Sequence, residues 1–198
     1  MKLKDSDLIK LEEDGYLMVP SFFDDGDTAP DINENIRFCD KYFPELKPLI
    51  SKLTDFIVTN YPKAKLIRTI LFNKSDNQNW SVRWHQDSTI CVQEKVDVEE
   101  FGPWSVKDEI PHVRVSPDYL DSMITARFHF DKATEENGAL QVVPGSHHLG
   151  FIPRDKIRSM TKTSVTCEAE KGDILLMKPL ILKVIILLIK DLAEPLAV

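Results

Sequence analysis

The sequence predicts a mainly β domain in which short strands form a sandwich or barrel and helices pack against one side. Two observations lead to this fold class. Apolar residues recur at helical spacing in the N-terminal part, whereas from Lys65 onward short runs of β-branched and aromatic residues are separated by turn-forming residues. A chain of 198 residues has room for one domain with a sizeable core, and two domains would be cramped.

The N-terminal part is expected to contain two helices with a strand between them. Ser6 or Asp7 is suited to cap the first helix, Gly15 is suited to end it, and residues 16–19 are typical of a strand. Residues 24–35 are acidic and are predicted to form a loop. The second helix is defined by apolar positions at helical spacing, which are Leu46, Leu49, Ile50, Leu53, Phe56 and Ile57.

The remainder of the chain has the pattern of short strands. The strand predictions are residues 66–72, 80–85, 123–131 and 174–177. Between the second and third of these, residues 91–121 are predicted to be a long irregular insertion. In a compact domain, such an insertion is usually a lid or a substrate-binding loop.

Composition narrows the class of partner and the compartment. The formal charge of −7 argues against nucleic acid as the main partner. Three widely spaced cysteines fit free thiols in a reducing compartment better than a disulfide framework. No apolar segment follows the N-terminus, so we expect no signal peptide and a cytoplasmic protein. The apolar C-terminal residues are too short a run, interrupted by Lys183 and Lys190, to span a bilayer.

His85 and Asp87 are the first candidate site residues. Residues i and i+2 of a strand point to the same side, so an imidazole and a carboxylate can face one ion. Two histidines and one carboxylate on one face of an octahedral iron leave open the positions that an oxidase needs for a co-substrate and O₂. The pattern alone is weak, because chance gives about half a match in a chain of this composition. His129-Phe130-Asp131 is indeed a second match.

Further motifs strengthen the assignment of His85 and Asp87, because together they resemble the phytanoyl-CoA dioxygenase family. They follow the family's order over about residues 65–182, and residues 13–20 are similar to the family's opening. The motifs up to the site are Leu71-Phe72-Asn73-Lys74, Asn79-Trp80 and Trp84-His85-Gln86-Asp87. The later motifs are residues 102–108, 125–131, 136–140, 143–147 and 172–180.

The resemblance implies a double-stranded β-helix, a cupin-like jelly roll, and a particular chemistry. Such proteins bind Fe(II) through His-X-Asp and a distal His, and they use 2-oxoglutarate and O₂ to hydroxylate a small organic substrate. His85 and Asp87 are then metal ligands, and His129-Phe130-Asp131 is not the iron site. Arg127 holds a position that faces the co-substrate, and Ile70 either lines the same pocket or is simply a core residue. No catalytic residue is implied beyond the metal ligands.

Trp104 is the candidate for contact with the substrate. It lies in the insertion 91–121, which is suited to close over a bound molecule, and a purely structural tryptophan is the alternative. The resemblance does not identify the substrate, and neither the sequence nor the resemblance indicates an oligomeric state.

The C-terminal residues depart from the family pattern. After Leu180 the family has an apolar pair and then the distal His, whereas here Ile181-Leu182 is followed by Lys183. The family also places an Arg about ten residues further on to bind the distal carboxylate of 2-oxoglutarate, and no Arg follows Arg158 in this chain. We therefore expect the last strands of the jelly roll to be missing or replaced.

The expected organisation is one dioxygenase-like domain over residues 1–182 followed by an atypical apolar tail over 183–198. The domain divides into a helical part, about residues 1–62, and a jelly-roll part, about residues 65–182. A shifted or truncated reading frame and genuine divergence both explain the tail. Three functions stay open: an impaired dioxygenase, a non-catalytic pseudoenzyme, and a cupin-like metal-binding protein in which His129 or His147 supplies the missing ligand.

Overall fold

The computed structural model describes residues 1–24, 35–72 and 82–185. The α-helices in these ranges are α1 (Asp5–Asp14), α2 (Cys39–Tyr42), α3 (Lys47–Asn60), α4 (Pro117–Asp121) and α5 (Arg154–Met160). The strands are β1 (Tyr16–Val19), β2 (Ile36–Arg37), β3 (Ile70–Leu71), β4 (Val82–His85), β5 (Thr89–Cys91), β6 (Trp104–Lys107), β7 (Ile110–Arg114), β8 (Thr125–Phe128), β9 (Leu140–Val143), β10 (Val165–Cys167), β11 (Ile174–Met177) and β12 (Leu182–Ile185). Short 3₁₀ helices cover Pro44–Leu46, Ser146–Leu149 and Thr161–Thr163.

Two antiparallel sheets form the core of the molecule. One has the strand order β1-β11-β8 and the other has the order β10-β9-β12-β4. One buried cluster joins their facing sides, and its members are Leu140, Val142, Cys167, Leu175, Met177, Ile181 and Ile185. Neighbouring strands come from distant parts of the chain, and the two sheets pack face to face through this cluster as a jelly roll.

The helices cover the outer side of the first sheet. Strand β11 is buried on both sides, with Leu175 and Met177 facing the second sheet and Ile174 and Leu176 facing the helices. Leu11 of α1 and Phe56 of α3 belong to the same outer cluster. The predicted second helix is confirmed as α3, and its apolar stripe is the surface that packs on the sheet.

Helix α1 begins differently from its prediction. Ser6 and Asp7 both lie inside the helix, and the capping position is Lys4. The carboxylate of Asp7 accepts a hydrogen bond from the amide of Lys4 at 3.0 Å, so Asp7 caps the helix from within its first turn. Gly15 ends the helix as predicted, with φ +79 and its amide bonded to the carbonyl of Leu11.

The insertion 91–121 is more regular than its composition indicates. Strands β6 and β7 form a hairpin, and β7 also pairs with β5, giving a third sheet in the order β5-β7-β6. Asp108 and Glu109 form the tight turn with φ +51 and +62. Hairpin turns of this kind are dominated by Gly, Asn and Asp, and of these only Asp108 is present. The prediction of an irregular segment over residues 104–114 was wrong.

The predicted strands 16–19 and 174–177 are confirmed as β1 and β11, and the other strand predictions hold in part. The structure shortens 66–72 to β3 and 123–131 to β8, and the chain bends at Phe130 and Asp131. Residues 80–81 of the predicted strand 80–85 lie outside the described residues, and 82–85 form β4.

Strand β12 makes the residues directly after Leu182 part of the second sheet. It pairs with both β9 and β4, and all four of its residues are buried. The residues directly after Leu182 are therefore well packed rather than loose, because two ladders satisfy their backbone groups. Residues 186–198, the rest of the predicted tail, lie outside the described residues. Among the helices of the described ranges, none has the length and apolar character of a membrane span.

Candidate active site

Three charged or titratable side chains meet where β4 ends. His85 is the last residue of β4, and Asp87 follows two positions later. Lys183 lies directly opposite His85 in the β12–β4 ladder. Its ammonium Nζ is 2.9 Å from Oδ2 of Asp87, so an ion pair joins the two strands at this point.

The site faces the space between the two large sheets. Lys183 has the same parity on β12 as Ile181 and Ile185, which belong to the inter-sheet core. The Lys183 side chain is only 6% exposed, whereas Asp87 is 40% exposed. Asp87 therefore lies at the mouth of the site and Lys183 lies inside it.

A turn before β12 positions the ammonium. The carbonyl of Pro179 accepts a hydrogen bond from Nζ of Lys183 at 2.9 Å and another from the amide of Asp87 at 3.0 Å. The turn is closed by the amide of Ile181, which donates to the carbonyl of Lys178 at 3.2 Å. Pro179 thus links both members of the ion pair through one oxygen.

Gln86 fixes the two residues beside it. Its amide nitrogen donates to the carbonyls of Gly150 at 2.8 Å and Leu180 at 2.6 Å, and its oxygen accepts from the amide of Ile152 at 2.8 Å. Because its side chain is held on one side, His85 and Asp87 are directed to the other side. Gln86 has no predicted role from the sequence, although alternation along a strand implies that its side chain points away from those of its neighbours.

The imidazole of His85 is oriented by its own strand. Its Nδ1 lies 2.8 Å from the carbonyl of Arg83, which can only accept, so Nδ1 carries the proton of that hydrogen bond. Burial lowers the pKa of His85, and the positive charge of Lys183 lowers it further, while Asp87 and the Arg83 carbonyl oppose the shift. His85 is therefore held as the neutral imidazole with Nε2 as its acceptor.

The carboxyl of Asp87 is held as the anion. Burial raises its pKa, but the charge and hydrogen bond of Lys183, helped by His85 and Arg68, outweigh that effect and lower the pKa below its usual value. The charge of Lys183 thus acts on both His85 and Asp87, in the direction that favours a neutral imidazole and an ionised carboxylate.

Arg127 also points into the space between the sheets. On β8 it alternates with Ala126 and Phe128, which pack on the helical side, and it pairs with Leu175 of β11. Burial lowers its pKa, and burial also raises the pKa of the neighbouring Cys167 thiol to about 12. Within the described ranges its guanidinium makes no hydrogen bond or ion pair.

Ile70 and Trp104 lie in different surroundings. Ile70 is half-buried on β3, opposite Arg37, and the segment before it carries Arg68, which is near enough to lower the pKa of Asp87. Trp104 is on β6, opposite Val113, and packs against the apolar cluster of the third sheet. The ammonium of Lys95 lies 5.7 Å from the Trp104 ring centre.

The other histidines with a candidate role are bonded to backbone elsewhere. Nδ1 of the buried His129 donates to the carbonyl of Asp173 at 3.4 Å, and Nε2 of His147 donates to the carbonyl of Glu12 at 2.9 Å. In the part of the chain that the structure describes, no three His, Cys, Asp or Glu side chains form a group that could hold a metal. Neither His129 nor His147 therefore completes a site with His85 and Asp87.

The donor set at β4 does not fit an iron(II) ion as it stands. One imidazole and one carboxylate are present, but the third position is taken by an ammonium, which has three donor protons and no lone pair. That ammonium is also already bonded to the carboxylate oxygen that would serve as ligand. The fit fails on the chemistry of Lys183, not on the position of His85 or Asp87.

Solved structures share this architecture at low sequence identity. The α-ketoglutarate-dependent epimerase SnoN from nogalamycin biosynthesis has a TM-score of 0.62, with 14% identity over 94% of this chain and 76% of its own. HygX from Streptomyces hygroscopicus, with nickel and 2-oxoglutarate bound, has a TM-score of 0.63, with 14% identity over 92% and 80%. EctD from S. alaskensis has a TM-score of 0.64, with 14% identity over 92% and 70%.

The structural comparisons establish the fold, and the sequence comparison establishes the family. A search of curated proteins gave no match. The model of the family Phytanoyl-CoA dioxygenase (PhyH) matches residues 50–182, a range that contains His85, Asp87, Arg127, Ile70 and Trp104. On that match, and on the jelly roll that carries the His-X-Asp strand, this chain belongs to the phytanoyl-CoA dioxygenase family.

Proposed function

We propose that this chain is an impaired member of the Fe(II)- and 2-oxoglutarate-dependent dioxygenases, built on a scaffold that hydroxylates a small organic substrate. The observation that carries the proposal is the ion pair between Lys183 and Asp87, at the position where the family pattern has its distal His. Family membership supports the scaffold's chemistry, and the ammonium explains the impairment.

The proposed roles follow the positions of the side chains. His85 and Asp87 are two of the three Fe(II) ligands of the ancestral site. Arg127 and Ile70 line the side where 2-oxoglutarate and O₂ would enter, and Trp104 faces the substrate from the third sheet. For Arg127 the support is its direction into the inter-sheet space. For Trp104 the packing on Val113 also fits a structural role.

Two losses together account for the impairment. A third ligand is missing, and no Arg follows Arg158 to form a bidentate pair with the distal carboxylate of 2-oxoglutarate. Whether a shifted reading frame or divergence caused them is decided by sequencing the encoding DNA. We also propose a cytoplasmic location, which the free thiols of Cys39, Cys91 and Cys167 support.

The test is succinate production by the purified chain with Fe(II), ascorbate, O₂ and 2-oxoglutarate. Enzymes commonly turn over at about 1 s⁻¹ or faster, and we expect this chain to stay at the level of a protein-free control. Sustained succinate formation that scales with protein concentration would refute the impairment, and would show that the scaffold acts with a different ligand set.

A second candidate function is binding of an organic anion without turnover. It is favoured by Arg127, whose guanidinium points between the sheets and has no acceptor among the described residues. Arg127 is half-buried, and a carboxylate ligand would offer its guanidinium a bidentate acceptor.

Binding of 2-oxoglutarate to the metal-free protein, followed by NMR, tests this second function. We expect Arg127→Met to weaken binding at least tenfold. Arg158→Gln, which removes an exposed charge on α5, should leave it unchanged. Equal affinity in Arg127→Met and the parent chain would remove the basis for this role.

A further inference from the structure

We propose that the ammonium of Lys183 is the resident cation of this site, so that Asp87 is neutralised from within the chain and divalent metals are excluded. The inference rests on the proposed function, since it concerns the same His-X-Asp strand. It goes beyond that function, because it assigns the exclusion of divalent metals to Lys183 and predicts that replacing Lys183 restores metal binding.

The charges already present at the site oppose the binding of a divalent ion. Asp87 supplies one negative charge, and Lys183 supplies one positive charge at 2.9 Å from Oδ2. A divalent ion bound to the same carboxylate would lie beside this ammonium, and like charges at such a separation repel strongly in a partly buried place. The charge of Arg68 near Asp87 acts in the same direction.

Lys183 is held at the site by its strand and by its hydrogen bonds. Its backbone lies in a central strand, paired with Val142 of β9 on one side and with His85 of β4 on the other. Its side chain is 6% exposed, and its Nζ also donates to the carbonyl of Pro179 at 2.9 Å. Moving the ammonium out would leave Pro179 and Asp87 without this donor, which is costly where the groups are partly buried.

His85 and Asp87 are kept in position by hydrogen bonds of the protein alone. The Gln86 hydrogen bonds fix the strand end, and the Arg83 carbonyl orients His85 with Nε2 as its acceptor. An imidazole placed at position 183 would project to the same face as His85, because the two positions are paired. Lys183→His is therefore expected to create a site of two histidines and one carboxylate.

The experiment is a titration of the chelator-treated full-length protein with Co(II), read by its visible absorption bands and by calorimetry. The parent chain should show no binding at this site up to about 1 mM metal, whereas Lys183→His should bind at least 100-fold more tightly. Lys183→Met removes the charge and adds no ligand, so it should fall between them. Adding Asp87→Asn to Lys183→His should abolish the gain.

The matched control is Val184→His. Val184 is the next residue of β12 and is also buried, but it alternates with Lys183 and pairs with Gln141 of β9, so its side chain lies on the other side of the sheet from His85 and Asp87. His at position 184 should therefore not create a Co(II) site with these two residues. Binding by Val184→His as tight as by Lys183→His would overturn the assignment of the exclusion to position 183.

A second measurement needs no variant. The urea midpoint of the parent chain should not change with a chelator or with added Co(II), because a ligand that binds only the folded state would raise it. A rise that grows with Co(II) concentration would overturn the inference. This outcome is separate from the succinate assay: metal binding without succinate refutes only the resident cation, and succinate formation refutes the proposed impairment.

Discussion

Lys183 determines the character of the site through its length and its place on β12. Strand pairing puts its Cα opposite His85, and its four-carbon stem carries the ammonium on to the carboxylate of Asp87. A shorter residue at 183 would face His85 without reaching Asp87 in this way. We therefore expect the side chain at position 183 to decide whether this strand binds a metal or holds an ion pair.

His129 is predicted to make the protein sensitive to acid. Burial and the charge of Arg127 lower its pKa from 6.5 to about 4, against the opposing effect of Asp173. The unfolded chain thus takes up a proton near pH 6.5, and the folded chain takes it up only near pH 4. The stabilisation is complete above pH 6.5 and is lost as the pH falls towards 4, by on the order of 3 kcal/mol at most.

The measurement is the free energy of unfolding in urea between pH 4 and pH 8, for the parent chain and His129→Gln. In His129→Gln the unfolding free energy should fall less steeply as the pH is lowered. His148→Gln, which changes an exposed histidine, should show the same pH dependence as the parent chain. His85 and His147 also have lowered pKa values and will leave a residual slope in both. Identical pH profiles for the parent and His129→Gln would contradict the prediction.

At the scale of elements, β12 is a central strand and should behave like one. Its amides lie in ladders with β9 and β4, and its side chains are buried. We expect hydrogen exchange at residues 183–185 to be as slow as across β8, because both report the opening of the same sandwich. Exchange at the rate of an unstructured peptide over 183–185 would show that the ladder does not form, and the contact of Lys183 with Asp87 would fail with it.

The junction of α1 and β1 depends on a glycine. Gly15 has φ +79, and a Cβ placed there would overlap Nδ1 of His147 and lie 2.7 Å from its Cε1. Gly15→Ala therefore combines backbone strain with a clash against a buried ring, and we expect a loss of roughly 2–4 kcal/mol in unfolding free energy.

Gly145→Ala is the control for that substitution. Gly145 has φ +72, but the nearest atom to an added Cβ is the carbonyl of Glu13 at 3.7 Å. Only the conformational term remains, so the loss should be about 1 kcal/mol. Both are measured by urea unfolding, and equal losses would mean that the His147 contact does not matter.

At the scale of the whole molecule, the sequence predicts the architecture better than the pairings. Helix α3 and strand β11 follow from local periodicity, which is a property of neighbouring residues. The β6–β7 hairpin was missed because its turn contains no Gly and places Glu109 at a positive φ that Glu rarely adopts. Local patterns therefore predict whether a segment is a helix or a strand, and they do not predict turns built from uncommon residues.

For the site as well, the sequence identifies residues but not the contacts between distant segments. The family motifs and alternation single out His85 and Asp87, and the same pattern marks Lys183 as a departure. The contact of Lys183 with Asp87 needed the structure, because it depends on the register of β12 against β4, which join distant parts of the chain. Gln86 was missed for a related reason, since its partners Gly150, Ile152 and Leu180 are all remote in sequence.

Whether the ammonium of Lys183 takes the place of a metal is tested most directly by diffraction from crystals grown anaerobically with excess Fe(II) and 2-oxoglutarate. We predict no anomalous peak at the iron edge beside His85 and Asp87, and density that places Lys183 Nζ within hydrogen-bonding distance of the Asp87 carboxylate. A peak at roughly 2 Å from His85 Nε2 and an Asp87 oxygen, with Lys183 displaced, would contradict the account.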